Sequence, residues 1–228
     1  EIMPAAPDPE KEEQERHWQA VEFRAAVDSG DAQKVEEMLG EGLHANHKMT
    51  DGAHWSVLML AANAGRTDLV TKFTAKPGGK YPKVEDDDPQ GNQAIMLAAL
   101  QGEQDICKIL IEKRADPNAN NADGETPLMM ASAMGHASCV ELLLEAGAQP
   151  DSEDNNRMSA IRKASRWGHT ECVRKLLPRV KDDPRERYHC QLFAKLYEHE
   201  ELKELLDPKA GSGDAIKDSD ASAEAVVA

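Results

Sequence analysis

Three neighbouring histidines are the residues of this 228-residue chain whose types and spacing suggest metal chemistry. His44 and His47 form an H-x-x-H pair, and His54 follows a few residues later. A structural zinc site needs four ligands, which usually come as two closely spaced cysteine or histidine pairs. Because no second pair accompanies these histidines, we interpret them as solvated loop residues and predict no metal site.

Catalytic motifs are absent from the sequence. It contains no G-x-x-x-x-G-K-[ST], no G-x-S-x-G and no H-E-x-x-H. The pair Gly78-Gly79 does not form a phosphate-binding loop, because the sequence pattern places no strand before it. We therefore predict a protein that is not an enzyme, with no catalytic residues and no cofactor.

A basic cluster near the end of the chain is the other candidate for chemistry. The formal net charge is −15, but the stretch 157–190 holds ten Lys and Arg against four acids. Trp167 lies within it and offers a stacking surface for a nucleic-acid base. The strongly negative chain and the lack of a nucleic-acid motif make nucleic-acid binding a minor alternative. The seven basic residues that would contact a nucleic acid are Arg162, Lys163, Arg166, Arg174, Lys175, Arg179 and Lys181.

The elements that position these residues are short helices in a sequence repeat. Around 124–151 the chain reads turn, helix, turn, helix, stop. Thr126 and Pro127 suit a helix start, Gly135-His136 interrupts the apolar run, and Gly147 suits a helix end. Steps of 33 residues in both directions bring small residues and glycines into phase. Less regular copies lie at 56–73 and 21–46, and a degenerate copy without a central glycine lies at 192–206.

These copies resemble the ankyrin-repeat family, whose signature is T-P-L-x-x-A, then G-H, then L-L-L-x-x-G-A. The resemblance covers about 18–206 and implies an all-α solenoid of about five helix-turn-helix repeats with helical caps. The expected repeats are 18–51, 52–90, 91–123, 124–156 and 157–189, followed by a degenerate helical cap at 190–206. We expect an acidic extension and the start of a capping helix at 1–17, and a disordered tail at 207–228.

The resemblance also gives the loops between repeats a role. Stretch 76–90 is longer than the repeat allows, and it is either a solvated insertion or an extended finger that contacts a partner. In the family, the histidine of the G-H turn organises that turn by hydrogen bonding, and we assign this role to His136 and His169. Asn118 resembles the finger asparagine that intracellular oxygenases hydroxylate in some ankyrin proteins.

The cysteines indicate a reducing environment. Cys139 and Cys172 occupy one repeat position, and stacked repeats hold such positions too far apart for a disulfide. We expect free thiols in an intracellular, reducing compartment. No secretory segment and no apolar run of about 18 residues occurs, so we expect no membrane insertion. Because the first residue is Glu, we expect a processed product, a fragment or an incomplete sequence. The cysteines are Cys107, Cys139, Cys172 and Cys190.

The family geometry places certain first-helix positions on the concave side of the solenoid. Several of these carry large apolar residues in repeats three to five, bordered by basic ones, and predict a partner-binding patch unless the last helices fold over it. The predicted residues are Leu97, Leu100, Gln101, Met130, Met134, Lys163, Arg166 and Trp167.

The function that the resemblance implies is a non-catalytic protein-protein interaction module or adaptor. We expect it to bind another protein through the concave helix face and the fingers, and the basic fifth repeat suggests a partner with an acidic segment. A structural or regulatory subunit of a larger assembly is the alternative.

Overall fold

A computed structural model describes residues 21–40, 55–75, 83–181 and 183–207. This part of the chain is helical, and its only bridges are the isolated antiparallel pairs Asp87–Gln93 and Glu153–Ser159. The predicted all-α architecture is confirmed. The helices are α1 (described over 21–29), α2 (Ala32–Gly40), α3 (Val57–Asn63), α4 (Thr67–Thr74), α5 (Ala94–Gln101), α6 (Gln104–Glu112), α7 (Pro127–Met134), α8 (Ala137–Glu145), α9 (Ala160–Trp167), α10 (Thr170–Leu176), α11 (Pro184–Leu196) and α12 (Glu200–Leu206).

Local sequence explains where the central helix pair starts and turns. Thr126 is the N-cap of α7, and its side chain accepts a hydrogen bond from the Met129 N–H at 3.3 Å. Pro127 occupies the first turn, where its missing N–H costs nothing. Gly135 ends the helix in the left-handed region at φ 81°. The sequence signals for this pair are therefore confirmed.

The helix pairs stack into two parallel layers. First helices α3, α5, α7, α9 and α11 pack side by side, and second helices α4, α6, α8, α10 and α12 do the same. Alanines at one repeat position are fully buried between neighbouring first helices, where small side chains let the backbones approach closely. A continuous apolar core results. These alanines are Ala61, Ala98, Ala131 and Ala164.

All four cysteines are buried free thiols, as the sequence predicts. Burial raises the pKa of Cys172 to about 11. Burial likewise raises the pKa of Cys190 to about 11, although a hydrogen bond with Ser165 acts in the opposite direction. These two thiols are therefore neutral at physiological pH and fill the core as small apolar side chains.

The chain after the fifth repeat forms a complete helix pair and not only a degenerate cap. The expected cap begins at residue 190, whereas α11 begins at Pro184, capped by the Asp183 side chain. The pair packs on α9 and α10 as a sixth repeat. Sequence inspection found no central glycine here, and the structure shows why none is needed. Glu198 takes the left-handed conformation itself, at φ 58°.

Some predictions lie outside the described residues. They concern 1–17, the histidines His44, His47 and His54, the first part of the expected finger at 76–82, and the tail beyond Asp207. Within the described residues, no helix is both long and apolar enough to cross a membrane.

Replacing Glu198 by Gly should raise the free energy of unfolding by about 1 kcal/mol, since a side chain in the left-handed region is strained and Gly is not. Urea unfolding followed by circular dichroism measures this change. Glu198→Ala is the matched control, because it removes the side chain but keeps the Cβ atom. Equal stabilities of the two variants would show that backbone strain is not the cause.

Candidate interaction surface

A row of histidines holds the turns of successive repeats together. The Nε2 atoms of His136 and His169 each lie 3.0 Å from a backbone oxygen of the preceding repeat, that of Leu100 and Ala133 respectively. Because a carbonyl oxygen only accepts, each Nε2 carries the proton and donates. His199 makes the equivalent bond to the Arg166 oxygen at 3.1 Å. The hydrogen bonds expected for His136 and His169 thus join neighbouring repeats, and His199 makes the same bond between the fifth and sixth repeats.

Each ring also lies against a glycine of the preceding turn. A Cβ atom placed on Gly135 would stand 2.6 Å from Nδ1 of His169. The same construction on Gly168 places a Cβ atom 2.6 Å from Nδ1 of His199. Such distances are too short for any side chain. The turns can therefore pack only when these positions lack a Cβ, and this packing fixes the ends of the first helices in register.

The residues just before these turns in repeats four to six are exposed and mostly apolar, and we call them the interaction stripe. It consists of Met134, Arg166, Trp167, Leu196 and Tyr197. Met134 is 54% exposed, Trp167 61%, Leu196 53% and Tyr197 44%. Single exposed apolar side chains are ordinary on a protein surface, whereas groups of them are typical of interaction surfaces.

Contacts across repeats bring the last part of the stripe together. The Tyr197 ring lies 6.1 Å, centroid to centroid, from the His199 ring, which donates to the Arg166 carbonyl. The Arg166 guanidinium carbon lies 6.0 Å from the Trp167 ring centroid. His199 therefore links Tyr197 to the end of the helix that carries Arg166 and Trp167.

Two residues of the predicted patch do not belong to this surface. Leu97 and Met130 are 4% and 8% exposed and pack in the core. Both belong to the continuous apolar core that runs through the repeats. Leu100 is half-buried at the edge of the stripe. Gln101 is exposed, and its Nε2 donates to Oδ1 of Asn63 at 2.9 Å. Polar side chains therefore lie just before the turns of the second and third repeats.

Lys163 does not border the surface as a free cation. Its Nζ pairs with Asp154 Oδ2 at 2.7 Å and Glu125 Oε1 at 2.6 Å, and its side chain is only 13% exposed. Burial alone would raise the pKa of the Asp154 carboxyl. The hydrogen bond from Lys163 and the N–H groups of Met158 and Asn156 outweigh burial and hold this pKa below its usual value.

Arg162 serves the packing of the sixth repeat. Its guanidinium pairs with Glu186 of α11 and with Glu153 at 3.1 Å. Glu186 also accepts from the hydroxyl of Ser159, the N-cap of α9. These contacts fasten α11 to α9 at the far end from the stripe. Trp167 is exposed and is not covered by the described part of the last helices, 184–206.

Most of the basic cluster found in the sequence is neutralised. Besides Arg162 and Lys163, Arg174 pairs with Glu171 at 3.2 Å and Lys175 with Glu141 at 2.9 Å. Lys181 lies 3.7 Å from Asp151. Arg166 and Arg179 alone among the seven make no ion pair within the described residues. Five of the seven cations thus have a carboxylate partner, which weakens the case for nucleic-acid binding.

The finger residues mainly support the turns. Asp88, in the expected insertion, is buried and accepts from the N–H groups of Gln90 and Asn92 and from the Trp55 indole at 3.0 Å. Its carboxyl oxygens are thus used inside the fold. Asn118 joins two fingers: its Nδ2 donates to the Gly147 oxygen at 3.1 Å, and its Oδ1 accepts from the Gln149 N–H at 2.8 Å.

Sequence reasoning missed Leu196 and Tyr197. The 33-residue step fails between the fifth and sixth repeats, because His199 follows His169 by only 30 residues. Aligning the two histidines would have placed Tyr197 on Trp167 and Leu196 on Arg166. The missing signal was therefore present in the sequence as a histidine and not as a glycine.

Comparison with known families agrees with this architecture. A family model described as ankyrin repeats (3 copies) matches residues 23–121 and 113–188, which together cover more than half of the chain. Stacked helix pairs with glycine turns define a repeat solenoid of this class. The chain belongs to the ankyrin-repeat family. Ankyrin repeats generally act as protein-protein interaction modules and are typically non-catalytic. No curated protein gave a significant match.

Replacing Lys163 by Met should lower the free energy of unfolding at neutral pH by about 2 kcal/mol, because it leaves the buried Asp154 carboxylate without its cation. The pKa of Asp154 is depressed in the folded state, so its stabilisation is present above its unfolded value, about 3.9, and is lost as pH falls through the lower folded pKa. The difference between wild type and variant should therefore shrink below about pH 4. Urea unfolding across pH measures it.

Lys175→Met is the control for this experiment. Its ion pair with Glu141 is exposed, so the variant should unfold almost as the wild type does. An equal loss in both variants would contradict a special role for the Lys163 network.

Proposed function

We propose that this chain is an adaptor-type interaction module that binds a partner protein through the interaction stripe. The observation that supports this proposal best is the repetition of exposed, large apolar side chains in three consecutive repeats. Met134, Trp167 and Tyr197 occupy one repeat position, just before the turn. Isolated exposed apolar residues are common on protein surfaces, but a row at equivalent positions is not.

The energetics of such a row favour binding. Complete burial of one large apolar side chain contributes about 1.5–3 kcal/mol. Trp, Tyr and Arg are the residues most often found to dominate interface energies. The stripe contains all three, and Met134 adds a flexible side chain that adapts to different partner shapes. Because each anchor is carried by a packed helix, little order has to be gained on binding.

In the first three repeats, the residues at these positions are mostly polar, and this sets a boundary to the proposed surface. Gln101 in the third repeat and Asn63 in the second hydrogen-bond to each other, and the equivalent residues in α1 are Asp28 and Ser29. We therefore place the partner over repeats four to six. An adaptor and a subunit of a larger assembly would both use this surface.

A photo-crosslinking experiment tests the proposal. The full chain carries p-benzoylphenylalanine in place of Met134 and is irradiated in an extract of the source cells. Adducts are identified by mass spectrometry. We expect one dominant partner, and adding Trp167→Ala in the same chain should reduce its adduct at least about tenfold, as expected for loss of a central anchor.

The matched control carries the same photoreactive residue at Lys108, which is exposed on a second helix. This chain should not form the adduct. Equal adducts from both positions, or an adduct that survives the loss of Trp167, would show that the partner binds elsewhere.

A further inference from the structure

We infer that the partner's binding segment is apolar with a single carboxylate that meets Arg166, and is not a polyacidic stretch. This inference rests on the proposed function, because it concerns the chemistry of whatever the interaction stripe binds.

The first observation is that the stripe's polar atoms are mostly hydrogen-bond donors. Arg166 carries five N–H donors and no acceptor, and the Trp167 indole carries one donor and no acceptor. Within the described part of the chain, neither side chain makes a hydrogen bond or an ion pair; their one polar contact is with each other. Burying such donors without partners costs about 1–3 kcal/mol each. A segment that covers the stripe must therefore supply acceptors.

The second observation distinguishes Arg166 from the other cations of its helix. Arg162 pairs with Glu153 and Glu186, and Lys163 pairs with Glu125 and Asp154. Within the described residues, Arg166 is the cation of α9 that makes no ion pair. A guanidinium binds a carboxylate through two parallel hydrogen bonds, which are about twice as strong as neutral ones. A carboxylate is thus the acceptor that Arg166 favours most.

The third observation limits the number and place of acidic residues. The chain has a formal net charge of −15, so a polyacidic segment would be repelled on approach. Glu198 is exposed directly after Tyr197, which disfavours a carboxylate at that end of the stripe. The apolar side chains of the stripe lie on both sides of Arg166: Met134 on one side, and Leu196 and Tyr197 on the other. The segment therefore has one carboxylate between apolar side chains.

The length of the stripe suits a short segment. Neighbouring packed helices lie about 9 Å apart, so Met134 and Tyr197, two repeats apart, are separated by about 20 Å. An extended peptide covers this distance with about six residues. A single linear segment can thus reach all the anchors.

A displayed library of short random peptides tests the inference with the full chain as bait. Wild-type protein should enrich peptides that combine two or more aromatic or aliphatic residues with one Asp or Glu. The charge-reversed Arg166→Glu variant should enrich Lys or Arg at that place instead. A wild-type-selected synthetic peptide should bind Arg166→Glu about tenfold more weakly. Arg174→Glu, a charge reversal on a second helix, is the control and should bind that peptide as the wild type does.

The outcomes separate the two proposals. If the selected peptides carry no acid, several acids, or the same acid after Arg166→Glu, the inference about the carboxylate is overturned. When their binding is still lost in Trp167→Ala, the interaction stripe remains the binding site. Peptides that bind Trp167→Ala unchanged, or a library that yields no binder, would contradict both proposals.

Discussion

Neighbouring repeats approach closely because the turn between the two helices of a pair lacks a Cβ atom at one position. The His169 ring occupies the space above Gly135 and donates to the Ala133 carbonyl, so one side chain both fills the gap and satisfies a helix-end oxygen. The same arrangement recurs at Gly102 and Gly168. A larger residue at the turn would push the next repeat away and uncover the alanines between the first helices. The stack, its core and its surface all depend on this contact.

The contact also explains why the proposed binding surface lies beside the turns. A histidine that bonds to the carbonyl of Ala133 or Arg166 fixes the helix end that carries Met134 or Trp167. At the opposite end of the helices, the charged residues are used to pack the sixth repeat and to shape the fingers. Lys163 and Arg162 neutralise carboxylates there. The two ends of α9 therefore differ in chemistry: one is a closed ionic network, and the other offers apolar side chains and an unpaired arginine.

Much of the fold could be predicted from the sequence because it depends on local signals repeated at constant spacing. Thr126, Pro127 and Gly135 specify one helix pair, and the glycine recurs in its neighbours as Gly102 and Gly168. The surface was harder to predict. Leu97 and Met130 are buried in the core, and an apolar residue type alone does not distinguish a core position from an exposed one on the concave side. Lys163 pairs with Glu125, one repeat away, and with Asp154 in a finger, and the sequence pattern did not predict these contacts. Tyr197 was not predicted as a surface residue, because the repeat spacing changes from 33 to 30 residues before it.

Methyl NMR of the methionines tests the central claim most directly, because the chain carries its own probes. Met134 is exposed on the interaction stripe, whereas Met59 and Met96 are buried in the second and third repeats. When a partner protein or a selected peptide is added, the Met134 methyl signal should shift or broaden in proportion to binding, while those of Met59 and Met96 stay in place. Binding that leaves the Met134 signal unchanged would contradict the assignment of the stripe as the binding surface.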